Sequence, residues 1–298
     1  MSIGRNLEKI RAAARNRHEP RRARAVTMFT IPVSLPDKNI QPPLLELQNV
    51  LVMRGVRPVL HDLNLSIQAN EHVAIVGPNG CGKSTLIKTI TRECYPVMRD
   101  GSRMAILGEE SWNVFELRNL LGIVSNDTLA FLEANATGLD VVLSGFFSSA
   151  NIYFNHHVEK PQQESARAAL TKLGVAHLAE RPVCEMSSGE AKRILIARAL
   201  VHSPRALLFD EPSNSLDFAA HQVLLDSMSM LARSGIGLIL VTHDLSDIVP
   251  EVSRVLLMSR GRIVADGPKE EILQADMLSR VFEASVQVSR RDGHYFLS

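Results

Sequence analysis

The sequence predicts an α/β fold: a mainly parallel sheet core with an antiparallel β subdomain and an inserted helical subdomain. Three observations predict it. Short apolar runs alternate with longer segments of helical spacing in "HVAIVG", "KSTLIKTITREC", "GEAKRILIARALV", "RALLFDE", "AAHQVLLDSMSMLARSG" and "GLILVTH". Such alternation implies parallel strands covered by helices on both faces. A glycine-rich loop, "GPNGCGKST", stands where the first of these strands hands over to a helix. Two adjacent carboxylates, Asp210 and Glu211, close another apolar run, and parallel α/β sheets place their ligand sites at strand ends.

Taken in order, residues 1–43 form a basic, proline-containing extension in which arginines face only Glu8 and Glu19 as acids within the first 25 residues. A solvated, mobile arm is expected there, with a targeting sequence or an arm touching lipid headgroups or RNA as alternatives. "IPVSLPDKNIQPPLLEL" reads as an extended linker. The folded domain is expected over residues 44–273. It opens with "LLELQNVLVM" and "LHDLNLSI", which alternate apolar and polar residues as half-buried strands do. From about 127 to 186 the pattern turns helical, most clearly in "GLDVVLSGFF" and "ESARAALTKLGVAHLA". "SRVLLMSRGRIVADG" reads as two strands joined at Arg260 and Gly261, and "PKEEILQ" as a helix opening on proline. Residues 274–298 are a C-terminal tail.

Bulk properties exclude several classes. With 298 residues and a formal net charge of +1, the chain has material for one large domain or two modest ones, and no overall field that would recruit nucleic acid or an anionic membrane. Cys81, Cys94 and Cys184 are scattered without metal-ligand spacing, which argues against a disulfide framework and suits a reducing compartment. No apolar run approaches the roughly 20 residues needed to cross a bilayer. His156 and His157 lack carboxylate or thiol partners at ligand spacing and read as surface residues.

The chemistry begins at the glycine loop. Gly77, Pro78, Asn79, Gly80, Cys81, Gly82, Lys83 and Ser84 fit G-x-x-x-x-G-K-[ST] between a strand and a helix, with Thr85 next. Small residues let successive backbone N–H groups converge on phosphate oxygens, and the helix adds about half a positive charge at its start. Lys83 would reach the β- and γ-phosphates, and Ser84 would place its hydroxyl on Mg2+. The loop is therefore that of a P-loop NTPase, cradling a nucleoside triphosphate. Asp210 and Glu211 sit at a strand tip, a costly place for two acids unless a cation or a reacting water uses them. Asp210 is assigned to Mg2+, and Glu211 to orienting and deprotonating the attacking water. Ser187, Ser188, Gly189 and Glu190 open another helix, either as a second anion site or as a cap alone. His243 follows a further apolar strand, a place where a lone histidine is more often structural than catalytic.

Together these residues resemble the ATP-binding cassette ATPases over about Leu44 to Leu273. Gly77 to Ser84 is similar to the family's Walker A, Leu207 to Glu211 to its Walker B, Ser187 to Glu190 to its signature, Ser215 to Asp217 to its D-loop and His243 to its switch histidine. The resemblance implies an ATP hydrolase using ATP and Mg2+, with Glu211, His243 and Lys83 catalytic. It also implies a head-to-tail dimer that clamps each ATP between the Walker A of one subunit and the signature of the other. Three positions depart from the pattern. Arg54 stands where an aromatic residue stacks on adenine, Asn126 where a glutamine senses the γ-phosphate and joins the metal site, and Ser188 where the signature has glycine.

The tail and the segment "LAERPVCEMSSGEAKRILIARAL" look similar to the ATPase subunits of metal-chelate importers, which serve iron-siderophore, cobalamin or molybdate uptake. That likeness implies a cytoplasmic subunit, peripheral on the membrane, docked to a separate permease at a groove near Asn126 and the helical subdomain. Phe146, Phe147 and Phe154 either line that dock or pack the subdomain's core. Nucleic acid is not an expected partner. The alternative is a soluble cassette ATPase of regulation, translation or DNA repair.

Overall fold

The structure is a computed structural model and describes residues 42–133, 135–153 and 156–298. The extension before residue 42 and Phe154 lie outside the described residues. In chain order the first elements are β1 (Leu45–Arg54), β2 (Arg57–Ile67), β3 (His72–Val76), α1 (Lys83–Ile90), β4 (Arg103–Ile106), α2 (Val114–Leu120) and β5 (Leu121–Val124). Then come α3 (Asp127–Ala130), α4 (Gly138–Ser144), α5 (Lys160–Lys172) and α6 (Ser188–Leu200). The remainder is β6 (Ala206–Asp210), α7 (Phe218–Arg233), β7 (Gly237–Thr242), β8 (Arg254–Ser259), β9 (Arg262–Pro268), α8 (Lys269–Ile272), α9 (Ala275–Phe282), β10 (Val288–Arg291) and β11 (His294–Leu297).

The expected sheet is present. Six strands run in the order β5-β6-β7-β3-β8-β9, parallel throughout except for the β8–β9 pair. Because side chains alternate across a strand, each central strand feeds two cores. Val73 and Ile75 of β3 pack with Leu208, Ile239 and Val241 on the face covered by α1, whereas Ala74 and Val76 pack with Phe209 and Leu240 on the other. That explains why these strands read as unbroken apolar runs. β1, β2 and β4 form the separate antiparallel sheet, which closes over the α1 face through Leu45, Leu47, Leu60 and Leu65.

Two regions differ in detail from the sequence reading. The helical segment has helices α3, α4 and α5, but Val141, Ala166 and Leu170 share one continuous core with Phe209 and Leu240 of the main sheet. Its packing surface is α6, whose opposite side faces the sheet, so the insertion has no core of its own. The tail is not an appendage. Leu278 and Val281 of α9 are buried, and Tyr295 of the β10–β11 hairpin joins the same core. The joint at Arg260 and Gly261 is a tight turn with both residues in the left-handed region, at φ 47° and 73°.

Candidate functional site

The strand order β6-β7-β3 sets three carboxyl ends side by side, with Asp210 opposite Val241 and Val76 opposite Thr242. Each expected catalytic group follows one of these ends. β3 runs into the glycine loop, β6 ends in Asp210 and Glu211, and β7 delivers His243. The fold thus gathers residues that lie more than a hundred positions apart.

The loop is held from both sides. Gly261 N–H donates to the Cys81 carbonyl at 2.7 Å, and His61 N–H donates to the Gly261 carbonyl at 2.8 Å, tying loop, β8–β9 turn and β2 together. Glycine at 77 is required by contact: a Cβ there would stand 2.3 Å from the Met258 carbonyl oxygen and 2.8 Å from Cys81 Sγ. Gly82 is required by conformation, with φ +113° as the N-cap of α1. Cys81 itself is buried and packs in the core beneath the loop, and burial pushes its thiol up. Thr85 is buried in the first turn of α1, where its carbonyl accepts from Thr89 Oγ1.

Lys83 is 5% exposed. Its Nζ donates to the carbonyls of Gly77 at 2.7 Å and Pro78 at 3.2 Å, and stands 3.2 Å from Glu211 Oε1. The other Glu211 oxygen contacts His243 Nδ1. The expected catalytic lysine, base and histidine therefore form one chain of contacts. Glu211 holds a left-handed φ of 47°, a conformation that costs a non-glycine residue about 1 kcal/mol or more and clusters at functional sites. Asp210 is the most perturbed acid. Burial, then the charges of Glu211 and Asp127, push its carboxyl up to about 6, against the pull of Lys83 and Lys192.

An acid held near neutrality in this way is relieved by a nearby cation. The Ser84 hydroxyl and the Asp210 carboxylate line one groove of about 560 Å3, together with Ser125 and Asp127. Hard oxygen donors of this kind suit Mg2+, so the residues fit the ion. The groove continues between α1 and the Gly145–Ala150 segment, past Lys88, Arg118 and Arg198. Arg118 donates to the Ser148 carbonyl and Arg198 to the Ser149 carbonyl, bracing its far wall.

The remaining expected residues are placed differently. Ser187 and Glu190 form a reciprocal cap: the Ser187 hydroxyl accepts from Glu190 N–H at 3.3 Å, and Glu190 Oε2 accepts from Ser187 N–H at 2.8 Å. Within one subunit they serve their own helix. Ser188 is exposed, so its side chain meets no obstacle, while a Cβ at Gly189 would come 2.7 Å from Ala220 Cβ, where α6 and α7 begin together. Arg54 is exposed at the end of the β1–β2 hairpin, paired across the strands with Arg57. Phe146 packs against the core and Phe147 stacks on His156 at 4.2 Å between centroids. His156 and His157 belong to no group of His, Cys, Asp and Glu that could hold a metal, and no such group occurs among the described residues.

Asn126 does not present a free side-chain oxygen: Oδ1 accepts a hydrogen bond from Lys192 Nζ. The sequence reading missed Lys192, and with it Asp247 and His221. Asp247 is wholly buried, accepting from Thr242 Oγ1 at 2.6 Å and bonding His221 Nε2 at 2.9 Å. It braces the turn that carries His243 against α7, and that bond holds the His221 imidazole up. Lys192 carried one signal: it shares the apolar stripe of α6 with Leu195, Ile196 and Ala199 at spacings of three, four and seven.

Known proteins resemble this chain over most of its length. The profile of the family described as "ABC transporter" matches residues 60–214. A "Putative ABC transporter ATP-binding protein" of Streptococcus mutans is 30% identical over 257 residues, covering 85% of this chain and 97% of that protein. The hemin import ATP-binding protein HmuV of Nocardia farcinica is 31% identical, with 78% of each chain covered. Among solved structures, cbiO1 of Clostridium perfringens, part of the ABC transporter complex cbiONQ, superposes with a TM-score of 0.68 at 26% identity, covering 80% of this chain and 94% of that one.

Proposed function

The chain belongs to the ATP-binding cassette family and is an ATP-hydrolysing subunit of an ABC transporter, and from that premise we propose that it powers uptake of a metal chelate or an oxyanion through a separate membrane permease. The observation that carries the catalytic part is the single contact chain Lys83–Glu211–His243 at adjoining strand ends. The uptake part is supported by similarity to an ATPase named for hemin import. No helix among the described residues is long and apolar enough to cross a membrane, so a partner supplies the passage. Family members dimerise and work with a membrane permease.

The residues divide the work as follows. The backbone N–H groups of the loop and the start of α1 hold the triphosphate. Lys83, which contacts the Gly77 and Pro78 carbonyls and Glu211, reaches the β- and γ-phosphates, and Glu211 stands beside it for the attacking water. Glu211 takes that water's proton, and His243 holds the carboxylate in place. Ser84 and Asp210 would hold Mg2+, which would supply positive charge against the triphosphate. The exposed start of α6, with Ser188 and the capped Ser187, serves the nucleotide of a second copy, and Arg54 stacks its guanidinium plane on adenine. The groove past Arg118 and Arg198 takes the permease.

The test is reconstitution of the purified protein in liposomes with the multi-span protein encoded beside its gene. ATP-dependent accumulation of a labelled ferric chelate or oxyanion supports the reading. A protein that binds no such partner and instead sediments with ribosomes or DNA belongs to the soluble, non-transport branch.

A further inference from the structure

Lys192 is 2% exposed and so is a charge taken almost wholly out of water. Such a group requires partners. The side-chain acceptor it has is Asn126 Oδ1, and Asp247 and Asp210 supply the neighbouring negative charge. Asn126 sits at the corner after β5, and the residues on both sides of it, Ser125 and Asp127, line the groove with Ser84 and Asp210. The corner thus points two ways: its flanking residues face the groove lined by Ser84 and Asp210 while its own amide oxygen is engaged by Lys192 of α6.

We propose that Lys192 is a positioning residue that latches Asn126 to α6, so that an Asn126 oxygen offered to the metal–nucleotide must first leave Lys192. The inference rests on the reading of Asn126, Ser84 and Asp210 as the metal side of the site. A charge-assisted hydrogen bond is roughly twice as strong as a neutral one. Asn126 therefore spends most of its time latched, and apparent affinity falls by the fraction of subunits in which its oxygen is free. The latch joins α6, which opens with the signature residues, to the corner beside the γ-phosphate position. Nucleotide arrival is in this way felt by the helix that serves the second subunit.

A double-mutant cycle on the full-length chain tests this, reading equilibrium binding of trinitrophenyl-ATP in Mg2+ and in EDTA. Lys192→Met is expected to tighten binding in Mg2+ by about 3- to 10-fold, with binding in EDTA unchanged within about twofold. Lys192→Gln keeps a donor without the charge and should fall between the wild type and Met in Mg2+, with binding in EDTA unchanged within about twofold. In an Asn126→Ala background, Lys192→Met should no longer shift Mg2+-dependent affinity. An equal shift in that background means that Lys192 acts through its charge alone and overturns the latch, as does a Gln variant that binds more tightly than Met, or no shift at all. Should Lys192→Met not fold, Lys192→Ala in the same two backgrounds carries the same expectation. Wild-type binding indifferent to Mg2+ overturns the metal reading itself, and the latch with it.

Discussion

The glycine loop and the carboxylate–histidine edge stand beside each other, yet they are built on opposite principles. The loop is one contiguous segment whose work is done by backbone, and glycines set its shape at 77 and 82. The edge is assembled from Asp210 and Glu211 after β6 and His243 after β7, then supported by Asn126, Lys192, Asp247 and His221 from four further places. Local chemistry suffices for the first. The second exists only while the sheet holds three strand ends in register.

The sharpest way to break the edge is Glu211→Gln. It should lower kcat by about 10²- to 10⁴-fold, the usual contribution of a general base, while ATP binding persists and an ATP-bound dimer accumulates. Steady-state turnover and size-exclusion chromatography with ATP check both parts, and an active variant that stays monomeric contradicts the assignment. Lys83→Ala strikes where the two regions meet. Loss of a charged hydrogen-bond donor of about 1.5–3 kcal/mol should weaken ATP binding by roughly 10- to 100-fold; calorimetry reads it directly, and unchanged affinity rejects the cradle.

Gly77→Ala perturbs the loop alone. Its methyl group would meet the Met258 carbonyl, and the required shift should cost about 1–3 kcal/mol, seen as a lower urea midpoint with turnover reduced in parallel. The smallest effect sharpens the comparison through pH. Asp210 is held up to about 6, chiefly by burial, whereas an unfolded aspartate titrates near about 3.9. A folded pKa above the unfolded one means stability that is complete below about 4 and is lost as pH rises through about 6. In metal-free protein, Asp210→Asn should therefore be the more stable by about 1–2 kcal/mol at pH 7, after allowance for solvent screening. The advantage should vanish by about pH 4. Thermal unfolding across that range measures it, and an advantage that grows toward acid contradicts the assigned cause.

The edge also separates what could be read from what could not. Asp210, Glu211 and His243 were legible because each ends an apolar run, and a polar group at a parallel strand end marks a site. Asp247 and His221 gave no such sign, since one lies in a turn and the other on a mixed helix face. Lys192 interrupts an apolar stripe, and nothing local tells whether such a lysine is buried against a partner or reaches solvent. Asn126 was identified, but its engagement with Lys192 spans 66 positions, and no local pattern carries a bond of that reach.

By itself the sequence determined the loop, the order of most strands and helices, the polar groups at the strand ends and the family to which they belong. Backbone torsions and period-two or period-3.6 burial are local properties, written within a few residues. Only the tertiary structure decided that the helical insertion and the C-terminal hairpin share the main core and that Lys192 holds Asn126. Those facts depend on which surfaces meet, and the meeting is set by packing between elements distant in the chain.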